Sequence, residues 1–91
     1  MTVYSLIEVF SMDGGLNNNT AECFLRNFRS KDMLKQAFID RVMESGTEFV
    51  NGRESAGAVF EQMLWCGTGF AIFEGSDEIV LFVRAEETEE V

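Results

Sequence analysis

The first segment of the chain has the composition of a β-strand. Residues 2–10, TVYSLIEVF, are rich in β-branched and aromatic side chains, which favour extended structure. The run DGG at residues 13–15 follows as a turn signal, and LNNN at residues 16–19 prolongs the loop, because Gly and Asn tolerate the positive φ values of turns. The pattern predicts a strand followed by a loop.

Residues 20–29, TAECFLRNFR, fit two interpretations. As a helix, they would have Asn19 and Glu22 as a capping box and one apolar face. That face would consist of Ala21, Phe24, Leu25 and Phe28. As a strand, they would form a hairpin with the first strand and place Phe24 and Phe28 on one side. The pattern leaves both interpretations open.

The pattern of residues 30–45 predicts a helix. Ser30 suits the N-cap, Asp32 the first turn and Gly46 the position after the helix. Apolar residues recur at helical spacing along one face, at Met33, Leu34, Ala37, Phe38, Val42 and Met43. The charged residues expected to face solvent are Lys31, Lys35, Asp40, Arg41 and Glu44.

A second helix is predicted over residues 54–66, after the extended or loop segment TEFVNGRE. Its apolar stripe is formed by Ala56, Val59, Phe60, Met63 and Leu64. Gly67 is expected to end the helix. Gly57, in the first turn, costs somewhat under about 1 kcal/mol relative to Ala, so this helix should need tertiary contacts.

The C-terminal part of the chain, residues 69–85, predicts a β-hairpin that turns at Gly75. Its second strand contains an unbroken apolar run at residues 79–83, which is typical of a central strand covered on both faces.

Together these segments predict one α+β domain over residues 1–91. Three or four antiparallel strands pack against the two helices, and residues 86–91 form a short acidic tail. A hydrophobic content of 46% with nine Phe residues is sufficient to fill a core. The residues expected in that core are Phe38, Phe60, Leu64, Ile72, Leu81 and Phe82.

Candidate catalytic and metal-binding patterns are missing from the sequence. The chain contains no His, which removes the commonest general base and the commonest metal ligand. The glycines at 14–15 and 67–69 lack the further glycines of phosphate-binding loops. The acids at 74–78 lack the ligand spacing of an EF-hand. We therefore expect no enzyme activity, no cofactor and no metal site.

The two cysteines, Cys23 and Cys66, are expected to be reduced and buried, since the chain shows no secretion signal. Its first basic residue is Arg26, which leaves the N-terminal region without the positive charge of a signal peptide. The longest uncharged stretch, residues 62–73, has 12 residues and is too short for a transmembrane helix. These features predict a cytoplasmic protein with no membrane partner.

The negative charge is concentrated towards the C-terminus. The formal net charge is −9, and residues 54–91 hold nine acidic side chains against one basic side chain, Arg84. A nucleic-acid backbone would repel such a chain, so we expect no direct nucleic-acid contact. The acids instead suit a Lys/Arg-lined groove on another protein, with association accelerated by electrostatic steering.

In size, acidity, lack of catalytic residues and α+β pattern, the whole chain resembles the small phage-encoded inhibitors that include anti-CRISPR proteins and DNA mimics. The resemblance is one of composition. It implies an inhibitor in the host cytoplasm that blocks the basic, nucleic-acid-handling surface of a partner protein.

The charge pattern selects the expected contacts of that inhibitor. The acids are Glu74, Asp77, Glu78, Glu86 and Glu87. Tight binding would also need an aromatic anchor, for which Tyr4 and Trp65 are the candidates, although a lone Trp beside an apolar stripe is more often a core residue.

The alternative is a homodimeric structural or accessory subunit. In that case the helices would cover one face of the strand at 79–83, a second copy would cover the other face, and the acidic tail would serve solubility alone.

Overall fold

The computed structural model describes residues 1–11, 21–75 and 77–88, and within them it shows an α+β fold of two helices and one four-stranded sheet. The elements in chain order are β1 (Thr2–Ser11), β2 (Ala21–Phe28), α1 (Lys31–Glu44), α2 (Arg53–Cys66), β3 (Phe70–Glu74) and β4 (Asp77–Glu87). The predicted fold class, both predicted helices and the C-terminal hairpin are confirmed.

The sheet is antiparallel throughout and has the strand order β2-β1-β4-β3. The chain termini therefore meet in its centre, where Leu6 of β1 lies opposite Val83 of β4. Residues 20–29 follow the strand interpretation, because β2 pairs with β1 from Ala21 to Phe28. The predicted loop at 13–19 lies outside the described residues.

Both helices lie on one face of the sheet, with α1 over β1 and β2 and α2 over β4. Alternation along the strands sends one set of side chains towards the helices. The core consists of Leu6, Leu34, Phe38, Ile39, Val42, Ala56, Phe60, Met63, Ile72, Ile79, Leu81 and Val83. The smallest dimension of the molecule is 20 Å, which matches one helix layer on one sheet.

The helix boundaries follow the predicted signals. The Ser30 hydroxyl accepts a hydrogen bond from the Met33 amide at 3.2 Å, as an N-cap should. At the end of α2, Gly67 adopts a left-handed φ of 71°, which a residue without a Cβ reaches at low cost. Gly57 is buried where the helices meet, and a Cβ there would lie 3.2 Å from Lys35 Cε, so this glycine lets α1 approach α2 closely.

Two expectations about the core are wrong. Phe82 lies on the sheet face away from the helices and is half-buried, because it alternates with the core residue Leu81 along β4. The cysteines are free, but Cys23 and Cys66 are both exposed, since the first lies on the edge strand β2 and the second ends α2. Leu64 is partly buried against the core.

The last strand is also longer than predicted. β4 reaches Glu87, where Glu86 pairs with Val3 and Glu87 with Thr2. The first two residues of the predicted acidic tail are therefore part of the sheet, and residues 89–91 lie outside the described residues.

Candidate functional site

The structure divides the predicted contact acids between the two ends of β4. Glu74, Asp77 and Glu78 lie at the turn of the β3–β4 hairpin, with Gly75 at a φ of 64°. Glu86 and Glu87 lie at the other end of the strand. Eight residues of extended chain separate Glu78 from Glu86, which corresponds to about 26 Å. These five acids are therefore not one continuous patch.

The two candidate aromatic anchors do not lie beside the hairpin turn. Trp65 is 89% exposed, so the core interpretation of this residue is wrong. Trp65 lies in the last turn of α2, just before β3 begins, whereas the hairpin turn lies where β3 ends. Tyr4 is half-buried and packs against the core. The exposed aromatic nearest the turn is Phe73, which is 63% exposed and opposite Glu78 in the hairpin.

At the C-terminal end of β4, the acids have nearby positive partners. The N-terminal amine lies 3.6 Å from Glu87, and Arg84 Nη2 lies 3.5 Å from Glu86. The Thr2 hydroxyl donates a hydrogen bond to Glu87 and, together with the amine, lowers the pKa of its carboxyl group. Glu86 and Glu87 thus add little net negative charge to this end of the molecule.

The hairpin turn carries a denser set of acids, which we call the acidic tip: Glu74 and Asp77 on the helix side of the sheet, and Glu78 on the opposite side. Glu74 and Asp77 lie directly opposite each other, although like charges in this position are unfavourable. Glu74 accepts a hydrogen bond from Arg41 Nη1 at 2.6 Å. The tip therefore retains net negative charge beyond this one cation.

Arg41 of α1 connects the acidic tip to Glu8 of β1. Its Nε donates to Glu8 at 2.5 Å while Nη1 donates to Glu74, and the Arg41 side chain is 15% exposed. Burial alone would lower the pKa of Arg41, but the hydrogen bonds to Glu74 and Glu8 outweigh it and raise the pKa. The expectation that Arg41 faces solvent is therefore wrong.

A groove of about 580 Å³ lies between α1 and β2, and Arg41 in its lining contacts Glu74 of the acidic tip. One part is apolar and is lined by Phe28, Met33 and Ala37. The part nearer the tip is charged and is lined by Glu8, Asp40, Arg41 and Glu44. Met33 is 55% exposed in this groove beside the edge strand β2. Arg26 also lines this end, where its guanidinium lies over the Phe28 ring at 5.5 Å and adds one positive charge.

Most positive charge on the protein is engaged by its own carboxylates. Within the described residues, five of the seven basic side chains form ion pairs: Lys31, Lys35, Arg41, Arg53 and Arg84. Hydrogen bonds from Arg53 and Gln36 lower the pKa of Asp40. Glu44 and Asp77 form no ion pair with any described residue, so they contribute uncompensated charge to the groove and tip.

Glu61 gives a testable pH dependence. Lys31 lies 2.8 Å from its carboxylate and Lys35 lies 3.4 Å away, and the Lys31 hydrogen bond is the main cause of a lowered pKa. A carboxyl whose folded pKa is lowered stabilises the protein above its unfolded pKa, near 4.5, and loses that contribution as the pH falls through the folded value. Glu61→Gln should therefore lose less stability than wild type on acidification.

Urea melts between about pH 6 and pH 3 check this, with Glu48→Gln as a control in the α1–α2 connection. The effect should be small, because the Glu61 side chain is 43% exposed and solvent screens the ion pairs. If wild type and Glu61→Gln lost the same free energy of unfolding on acidification, these ion pairs would have no role in stability.

Sequence reasoning missed the groove. The apolar stripe predicted for α1 includes Met33 and Ala37, yet in the structure both residues line the groove beside the edge strand β2. A signal was present in the spacing, because the apolar stripe of α1 was wider than one buried face requires and included Met33 next to Leu34.

No described helix is long and apolar enough to cross a membrane. Among the residues that the structure describes, no three His, Cys, Asp or Glu side chains are placed to hold a metal ion. Comparisons with protein-family models, curated proteins and solved structures found no significant match.

Proposed function

We propose that this protein binds a basic segment of another protein in the groove between α1 and β2, with the acidic tip at one end of the contact. The observation that carries the proposal is the junction of an apolar cleft with uncompensated carboxylates. Exposed Met33 and half-buried Phe28 line one end, and Glu44 lines the other end. Asp77 lies beside that end, opposite Glu74, which Arg41 of the lining binds, and neither Glu44 nor Asp77 forms an ion pair with any described residue.

The chemistry of the groove favours an amphipathic cationic occupant. An apolar side chain of the partner would displace water from Phe28, Met33 and Ala37, which gives affinity without regard to charge. Lysine or arginine side chains of the same segment would reach Glu44 and the acidic tip. This arrangement corresponds to helix-in-groove recognition, in which one face of a helix is apolar and its edge is charged.

The surfaces of proteins that handle nucleic acids are rich in such basic segments. The net charge of −9 supports a partner of that kind, because it steers a cationic surface towards this protein and repels the nucleic acid itself. In this proposal the protein is a non-enzymatic inhibitor of the anti-CRISPR or DNA-mimic type, which occupies the partner's basic surface in place of nucleic acid.

The two parts of the site should contribute differently. Exposed ion pairs are worth about 0–1 kcal/mol each, so the acids supply orientation, rate and salt dependence. Burial of apolar area at about 25 cal/mol per Å² supplies most of the affinity. Glu86 and Glu87 are poor contacts in this proposal, since Arg84 and the N-terminal amine already neutralise them.

The test compares two double variants that change the net charge equally. Glu44→Lys with Asp77→Lys reverses charge at the groove and tip, whereas Glu54→Lys with Glu86→Lys reverses it elsewhere. The probe is a fluorescein-labelled amphipathic helical peptide with leucine on one face and arginine on the other, titrated by anisotropy. The first variant should weaken binding about tenfold or more at low salt, and the second by less than about threefold, since local charge dominates within a Debye length.

A second arm tests inhibition. A protein that is captured from the host on the immobilised wild-type chain is purified and bound to a labelled duplex oligonucleotide. Added wild-type protein should displace the oligonucleotide from this partner, whereas the Glu44→Lys, Asp77→Lys variant should not. Equal binding by both double variants, or binding without salt dependence, would show that the acids serve solubility and would refute the proposal.

A further inference from the structure

Among the residues that the structure describes, nothing covers the sheet face opposite the helices, and this face is largely apolar. Side chains that alternate away from the helices form successive rows across the strands. The two middle rows consist of Ala71, Val80, Val9 and Cys23, and of Phe82, Ile7 and Leu25. We call these seven residues the apolar band. Leu25 is 55% exposed, and Phe82 and Ile7 are half-buried.

The geometry next to β3 keeps this face flat. A Cβ at residue 69 would lie 2.8 Å from Phe82 Cε1 and 2.9 Å from Val80 Cγ1, so both side chains extend over Gly69. Such a close approach requires glycine or a shift of the ring. The apolar band therefore reaches the β3 edge without an intervening side chain.

The rows that flank the band carry opposite charges at equal distances from its centre. Glu78 and Arg84 both lie on this face of β4, each three residues from Leu81. Among the described residues, Arg84 pairs with Glu86 at 3.5 Å, and both side chains are more than half exposed and therefore accessible to a second copy. Ser5, in the Arg84 row, is buried, and its hydroxyl donates to Asn27 at 2.7 Å.

We propose that two copies of this chain pack face to face through the apolar band. The twofold axis lies midway between the two sheets, parallel to their planes and perpendicular to the strands. It passes over Leu81 of β4 and over the positions paired in the same row, Glu8, Phe24 and Phe70. This axis places Arg84 of each copy opposite Glu78 of the other. It also places Val80 of one copy against Phe82 of the other, and it brings the Cys23 residues of the two copies near each other. The surface is thus self-complementary, as a twofold interface requires.

The size of the face fits a moderate interface. Four strands spaced by about 4.8 Å and eight residues of strand length give about 500 Å² per copy, or about 1,000 Å² in total. Specific interfaces begin near 1,000 Å², so we expect a dissociation constant in the micromolar range, about 10⁻⁶–10⁻⁴ M. This inference does not rest on the proposed function, because the groove, Glu44, Glu74 and Asp77 lie on the helix side of the sheet.

The first test is a charge swap measured by sedimentation equilibrium at low and high salt. Arg84→Glu and Glu78→Arg should each weaken the wild-type dimer by about tenfold, since each places like charges opposite one another twice. The double variant that combines both changes should recover most of the affinity. Leu25→Lys should abolish dimerisation, and circular dichroism should show that it remains folded, because the site is on the exposed edge strand.

The second test distinguishes this axis from other face-to-face arrangements. The proposed axis places β2 over β2 of the other copy, with the Cys23 backbones about 12 Å apart. An axis parallel to the strands would place β2 over β3. In a Cys66→Ser variant, a short bismaleimide should therefore link Cys23 to Cys23. A monomer at every concentration up to about 1 mM, a dimer indifferent to Leu25→Lys, or a charge swap without recovery would overturn the proposal.

Discussion

Replacing Phe60 by alanine should lower the free energy of unfolding by about 3–5 kcal/mol, the usual cost of removing a fully buried Phe ring. Phe60 is 0% exposed and lies at the centre of the core. Its ring centroid is 5.8 Å from that of Phe38, which in turn contacts Phe70 of β3. The alanine variant would leave a cavity between the two helices and the sheet, where the surrounding buried side chains can fill it only in part.

Urea denaturation followed by circular dichroism measures this loss. Phe73→Ala is the matched control, because it removes the same ring from a 63% exposed site and should cost less than about 1 kcal/mol. Since a domain of this size has a stability of roughly 5–9 kcal/mol, Phe60→Leu provides a milder variant that should keep its fold and lose about 1–2 kcal/mol. A loss below about 1 kcal/mol for Phe60→Ala would contradict the central position of α2.

Both helices could be predicted from the sequence because their determinants are local. Ser30 and Gly67 mark helix ends through hydrogen bonds and φ values that involve only neighbouring residues. The stripe that contains Phe60 repeats at the period of the helix itself. Such features do not depend on the rest of the chain, so the pattern was sufficient.

The sheet was less predictable because its order depends on long-range pairing. Residues 21–28 match helical and extended periods equally, and their pairing with β1 determines the outcome. Phe24 then lies next to Phe10, with ring centroids 5.7 Å apart in an edge-to-face arrangement. The apolar run at 79–83 correctly indicated a central strand, and the position of both helices on one face of the sheet could not be read from the run itself.

The candidate site was the least predictable part. The pattern of α1 predicts that Arg41 faces solvent, because it lies off the apolar stripe, yet Arg41 binds Glu8 and Glu74, each 33 residues away in opposite directions along the chain. The groove likewise depends on long-range packing, because residues of β1, β2 and α1 line it together. The charge composition predicts acidic contacts with a partner, but only the fold shows that Arg84 and the N-terminal amine lie beside Glu86 and Glu87.

Arg41→Met should lower the free energy of unfolding by about 2 kcal/mol, because it leaves the Glu8 carboxylate, which is 15% exposed, without its cation. Methionine keeps most of the side-chain volume, so the loss reports charge and hydrogen bonding. Arg53→Met is the control: it removes the same group from an exposed pair with Asp40 at 2.8 Å and should cost less than about 1 kcal/mol. Combining Arg41→Met with Glu8→Gln should recover part of the loss, since no uncompensated charge then remains.

The same variant separates stability from binding. Arg41 lines the groove, so its removal makes the groove more negative, and the cationic peptide should bind more tightly to a less stable protein. Equal losses of stability for Arg41→Met and Arg53→Met would show that the Glu8–Arg41–Glu74 cluster behaves as an ordinary surface pair. Weaker peptide binding by Arg41→Met would place the cationic partner elsewhere than in the groove.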